Sequence, residues 1–200
     1  MTGPIPRMSV AAILRAALVL LIACKPAAAG SLADSATPGA EAVAARPVTV
    51  IVVRHAEKAA DDPRDPNLSV AGEARARALA GLLAAAGVTH LFASEFRRTQ
   101  ATLGPLADAI GKQPVIIPAV EQARLVAEIS ALPAGSVVVV AGHSNTVPAL
   151  VSALGGEALG TVAGSSGPSL PDDAYDRVFV VIRPARGEAQ TIELRQAAAP

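Results

Sequence analysis

The chain has 200 residues, of which 52% are hydrophobic and only 2% aromatic, and its formal net charge is zero. Such a length holds about one domain plus an appendage, on a prior of roughly 100–200 residues per domain, with a core built from Val, Leu, Ile and Ala. With no basic block, nothing suggests nucleic acid as a partner, and a single cysteine excludes an intramolecular disulfide framework.

The first segment belongs to targeting. Arg7 and Arg15 precede an apolar stretch over residues 16–23, followed by Lys25, Pro26 and small residues, which is the order of a secretory signal within residues 1–29. The stretch is too short to span a bilayer. Two processing sites compete. Leu21-Ile22-Ala23-Cys24 resembles a bacterial lipobox, with Cys24 lipidated as the mature amino terminus, whereas Ala27-Ala28-Ala29 suits ordinary cleavage. The lone cysteine's position favours the lipobox. The expected address is the bacterial cell envelope, periplasmic or lipid-anchored, with the membrane met only through such an anchor. Residues 30–47, rich in Ala, Ser, Pro and Gly, read as a flexible tether.

The folded unit is expected over residues 48–195. Residues 48–53 form a continuous β-branched run, fitting a strand buried on both faces. After a polar loop with Pro63 and Pro66, Ser69 is placed to cap a helix reaching Ala86 and stopped by Gly87. A short strand over 89–93, a helix over 97–110 ending at Gly111, and a strand over 115–117 follow. A helix over 121–132 precedes the most strongly β-forming stretch, 136–141. The next helix starts near Asn145, with Pro148 tolerated in its first turn, and Gly155-Gly156 closes it. Residues 157–173 read as a long loop, and strands over 177–182 and 190–194 as an edge hairpin. Alternation of strand and helix implies an α/β fold of three layers, a mainly parallel sheet with helices on both faces.

Two of the chain's three histidines fall at the carboxyl ends of predicted strands, in Arg54-His55-Ala56-Glu57 and Gly142-His143-Ser144-Asn145. Ligands of open α/β sheets bind at that edge. His90 lies in no motif and reads as structural. Leu68-Ser69-Val70-Ala71-Gly72 opens the first helix, and Ser94, Arg98 and Thr102 recur at intervals of four. Together these segments resemble the histidine phosphatase superfamily, the phosphoglycerate mutase-like group, over residues 48–194. They are similar to its Arg-His-Gly signature, its Leu-Thr/Ser-x-x-Gly entry to a helix, and its Ser-x-x-x-Arg-x-x-x-Thr pattern.

The resemblance implies a phosphoglycerate mutase-like fold and phosphomonoester hydrolysis with His55 as nucleophile, through a phosphohistidine and without a metal or other cofactor. Phosphoryl transfer needs positioning and positive charge around the equatorial oxygens, which Arg54, Arg98 and His143 would supply with backbone N–H groups at Ser144 and Asn145. Spacing selects Arg98 over Arg97. Ala56 departs from the family's glycine, and an ordinary backbone is expected there. By order along the chain Glu121 is the candidate general acid, with Glu57 its rival. The expected partner is a small phosphorylated substrate. A phosphomutase and a non-catalytic phosphate-binding module on the same fold are the alternatives, and a short domain favours hydrolysis. A metallohydrolase fails on ligand count, because two motif histidines without a third make a poor transition-metal site.

Overall fold

The computed structural model describes residues 46–197. The signal segment, Cys24 and most of the tether lie outside them. Within them the strands are β1 (Val48–Arg54), β2 (His90–Ala93), β3 (Val115–Ile116), β4 (Val137–Gly142), β5 (Val162–Gly164), β6 (Gly167–Ser169), β7 (Arg177–Arg183) and β8 (Gln190–Arg195). The helices are α1 (Val70–Leu83), α2 (Arg97–Ile110), α3 (Gln122–Ser130) and α4 (Thr146–Ala153).

Six strands form one sheet in the order β3-β2-β4-β1-β7-β8. The first four run parallel, β7 lies antiparallel to β1, and β8 antiparallel to β7. Alternation along β1 divides the core between the two faces. Val50 and Val52 join Ile129 of α3 and Val147, Leu150 and Val151 of α4. Ile51 and Val53 join Leu79 and Leu83 of α1 and Leu103 and Leu106 of α2. Helices therefore cover both faces of a mainly parallel sheet, and the continuous β-branched run is explained by a strand with no solvent face.

The first helix shows how a sequence motif becomes a docking device. Ser69 caps α1, its Oγ accepting from Gly72 N at 3.1 Å, while its own N–H donates to the Glu57 carbonyl at 2.9 Å. A Cβ at Gly72 would lie 2.1 Å from that same carbonyl oxygen. Only glycine lets α1 approach the backbone just beyond His55 so closely. The helix ends at Leu83, three residues short of the expected Ala86, and a turn carries the chain to Gly87 at φ 69°. Residues 157–173 depart further from expectation. They hold the small β5–β6 hairpin, and the Arg177 guanidinium donates to the Leu159 and Gly160 carbonyls ahead of it.

Candidate active site

The register of β1 on β4 pairs Arg54 with Gly142, so His55 and His143 leave the sheet side by side. The His55 amide donates to the Gly142 carbonyl at 2.8 Å, and the two imidazole rings meet edge to face at 5.4 Å between centroids. His55 Nδ1 lies 2.7 Å from the Ala56 carbonyl oxygen, which can only accept, so Nδ1 carries the proton. Nε2 keeps its lone pair and has no partner among the described residues. Burial pushes the His55 pKa down to about 4, opposed by the Ala56 hydrogen bond and reinforced by His143, Arg54 and Arg98. At neutral pH the site thus holds a neutral imidazole with one fixed tautomer.

Both arginines rest on aromatic rings. Arg54 stacks over Tyr175 at 4.1 Å from the ring centroid, and Arg98 over Phe96 at 4.3 Å. Arg54 Nη1 donates to the Pro171 and Asp172 carbonyls, 2.9 Å each, while its buried Nε–H has no partner among the described residues. Arg98 Nη1 is likewise buried without a hydrogen bond, 3.5 Å from Asp65. An unpartnered buried guanidinium N–H is costly unless an anion completes it. Arg97, half exposed, pairs instead with Asp62 and Asp65 at 3.2 Å. Phe96 and Tyr175 were not singled out from sequence, although four aromatic residues in the whole chain made each of them a signal.

The pattern around Arg98 holds both histidines. Ser94 Oγ lies 2.9 Å from His143 Nε2 and 2.9 Å from Thr99 Oγ1. Thr102 Oγ1 accepts the Ala56 amide at 2.9 Å and donates to the Arg98 carbonyl at 2.7 Å. Ala56 is fully buried against Leu68 and Ala76, so its methyl fills a small cluster. Burial, with help from Arg98 and Arg54, pushes the His143 pKa to about 4 as well.

A cavity of about 420 Å³ opens over these groups. Arg54, His55, Arg98, His143, Ser144 and Asn145 all line it, so six residues read from sequence converge on one surface. The Ser144 and Asn145 amides, ahead of α4, have no acceptor among the described residues. Lys58 and Asp172 also reach the lining, and Val120, almost fully exposed, forms part of the rim.

The expected acid is not brought in. Glu121 lies off the lining, its carboxylate 3.0 Å from Arg124 one helical turn away, because the residue caps α3 just ahead of Gln122 and faces solvent. Glu57 is also turned away, held by three hydrogen bonds of 2.6–2.9 Å from Arg75. Burial opposes the Glu57 charge, yet Arg75 holds its carboxyl below the usual range. The carboxylate residue that does reach the lining, Asp172, comes from the segment read as a long loop. His90 stands apart from the cavity, bonded to the Thr89 hydroxyl at 2.9 Å. Among the described residues no group of three or more His, Cys, Asp or Glu is placed to hold a metal ion, and no helix is long and apolar enough to cross a membrane.

Residues 50–123 match the family model of the histidine phosphatase superfamily (branch 1). No curated protein matches the chain by sequence. A putative phosphohistidine phosphatase SixA from Nakamurella multipartitia shares the fold at TM-score 0.55 and 24% identity, over 77% of this chain and 99% of that one. The protein histidine phosphatase SixA complexed with tungstate superposes at 0.54 and 20% identity, over 74% and 97% of the two chains. Phosphoglycerate mutase from Plasmodium falciparum superposes at 0.50 and 12% identity, over 77% and 92%. The fold is therefore the phosphoglycerate mutase-like one. The resemblance to the histidine phosphatase superfamily holds in sequence from β1 into α3, and the likeness to these solved structures is one of fold.

Proposed function

We propose that the chain hydrolyses phosphomonoesters through a phosphohistidine on His55. The observation that carries this reading is the His55 tautomer: Nδ1–H is fixed on the Ala56 carbonyl, so Nε2 offers its lone pair beside two buried guanidinium groups with unpartnered N–H. In the first step Nε2 attacks phosphorus, the bond to the ester oxygen breaks, and that oxygen takes a proton. In the second, water attacks phosphorus, the P–N bond breaks, and inorganic phosphate leaves. Arg54, Arg98, His143 and the Ser144 and Asn145 amides surround the transferred oxygens, acting by position and charge. Asp172 takes the acid role expected of Glu121 on this reading, since it is the carboxylate residue that lines the cavity.

Hydrolysis is favoured over mutase chemistry because the domain is short, with the 59–67 loop and the 157–173 segment as its candidate covers. The superfamily resemblance supports phosphatase chemistry in general and leaves the substrate open. An envelope address, proposed from Arg7, Arg15, the apolar run and Cys24, would point to phosphosugars, envelope glycolipid phosphates or scavenged phosphoesters. Cys24→Ser should release the protein from membranes or block its processing. A soluble protein starting at Gly30 and unaffected by the change would establish ordinary cleavage.

The mechanism is tested by rapid quenching with a labelled aryl phosphate. Acid-labile, base-stable label on His55, absent in His55→Ala, is expected. Acid-stable label on a hydroxyl residue, or full turnover by His55→Ala, would overturn it. Tight phosphate binding with no turnover of an aryl phosphate would favour the non-catalytic binding module.

A further inference from the structure

We propose that Ser94 and Thr99 form a reversible hydroxyl relay that sets which nitrogen of His143 carries its proton, so that a neutral His143 donates to the bound phosphoryl group. The proposal rests on the phosphate-site reading given above and assigns two positioning residues to it.

The problem the relay solves is chemical. A neutral imidazole has one N–H and one lone pair. Nε2 faces Ser94, which leaves Nδ1 as the ring nitrogen without a partner among the described residues, on a residue that lines the cavity. If the proton sits on Nε2, Nδ1 presents a lone pair to phosphate oxygens, and two acceptors repel. Burial and two neighbouring arginines make the imidazolium form unfavourable in the empty site. Exchange with solvent that takes one proton off Nε2 and returns one to Nδ1 keeps a single N–H on the ring, and so supplies a donor without a net buried charge.

The hydrogen-bond chain permits both arrangements. In one, His143 Nε2–H donates to Ser94 Oγ, Ser94 O–H to Thr99 Oγ1, and Thr99 O–H to the Phe96 carbonyl at 2.8 Å. In the other, Thr99 O–H donates to Ser94 Oγ and Ser94 O–H to His143 Nε2, which frees Nδ1–H for the cavity. Reversal leaves no carbonyl orphaned. The Phe96 carbonyl still accepts the Thr99 and Gln100 amides at 3.1 and 3.3 Å, and the Ser94 carbonyl keeps the Gln100 side chain at 3.4 Å. Thr99 is fully buried and Ser94 is 5% exposed, so bulk water does not compete for these hydroxyls. Low local dielectric strengthens such a chain and makes any unpaired member expensive.

The test reads tautomers directly. Nitrogen-15 NMR of ring-labelled full chain, with His143 assigned through His143→Gln, distinguishes protonated from lone-pair ring nitrogens. At pH 7.5 the free protein should show His143 protonated on Nε2, and saturation with inorganic phosphate should move the proton to Nδ1 while the ring stays neutral. Thr99→Val removes the acceptor for Ser94, so it should give the Nδ1–H form even without phosphate and bind phosphate within about twofold of the parent. Ser94→Ala should lose the tautomer change and bind phosphate about tenfold more weakly, the loss of roughly one good hydrogen bond to an anion. A His143 imidazolium in the phosphate complex, or an unchanged Nε2–H form, would overturn the relay and leave the phosphate site standing. Failure of phosphate to perturb His55 or His143 at all would overturn both.

Discussion

Thr102 accepts the backbone N–H of Ala56 at 2.9 Å across 46 positions of sequence. Helix α2 thereby grips the chain one residue beyond His55, and the same helix carries Arg98. The proposed nucleophile and the proposed phosphate clamp are thus fixed in one frame. Thr102→Val should leave a buried amide unsatisfied and cost about 1–3 kcal/mol of stability. Urea unfolding gives that figure, and kcat should drop with it, whereas Thr102→Ser should restore both. A Val variant as stable and as active as the parent would show that the contact does not hold the site.

The two adjacent arginines should separate cleanly. Arg98→Ala removes a clamp seated on Phe96 and should cost about 2–4 kcal/mol of transition-state stabilisation, read from kcat/KM. Arg97→Ala breaks half-exposed pairs with Asp62 and Asp65, typically worth under about 1 kcal/mol, and should be mild. Equal losses would mean that the clamp is shared.

Acid assignment is a matter of leaving groups. Asp172→Asn should hurt alkyl phosphates far more than aryl phosphates, because general acid help, typically worth 10²- to 10⁴-fold, matters where the leaving oxygen is basic. Glu121→Gln should be silent on both. Glu57→Gln should weaken the Arg75 pair and lower stability without leaving-group dependence. A leaving-group effect at Glu121 and none at Asp172 would return the role to the residue expected from chain order.

Acid should destabilise the protein through its two site histidines. Both have pKa values near 4 in the fold, against an ordinary value of 6.5. As pH falls from 6.5 towards 4, the unfolded chain binds protons that the folded one refuses, so stability drops across that window and this contribution levels off below it. Urea midpoints from pH 8 to 4 should follow that slope, and His55→Gln should flatten it. An NMR titration of His55 centred near 6.5 would contradict the burial argument.

Gly72→Ala should be disruptive out of proportion to one methyl group. The added carbon would meet the Glu57 carbonyl oxygen at 2.1 Å, a backbone atom that cannot rotate aside. A cost of about 1–3 kcal/mol is expected in unfolding measurements, with reduced activity from displacement of the strand end. Gly81→Ala on the same helix has open space around it and serves as the neutral control.

The sequence was most legible where one residue type served one physical need. The β-branched runs at 48–53 and 137–140 became the two central strands, and their ends pointed to His55 and His143 without any knowledge of pairing. Ser94 and Thr102 were visible as a spacing, but not as hydrogen-bond partners of His143 and Ala56, because those contacts cross 49 and 46 positions. Glu121 was misleading for a related reason. Order along a chain locates a residue on an element and says little about direction, and Glu121, the cap just ahead of α3, points its carboxylate to Arg124. Asp172 was hidden in a segment whose Gly- and Ser-rich composition conceals a hairpin and a carbonyl pair that hold Arg54.

That last contact has a thermodynamic corollary. Arg54 hydrogen-bonds the Pro171 and Asp172 carbonyls while lining the cavity, so on the proposed reading an anion bound there would be coupled to ordering of the 171–172 backbone. Reciprocity then applies: whatever factor by which a bound anion slows amide exchange in that segment, the segment's own order must multiply anion affinity. Substitutions at the rim that never touch a substrate would therefore retune how tightly the protein keeps its product.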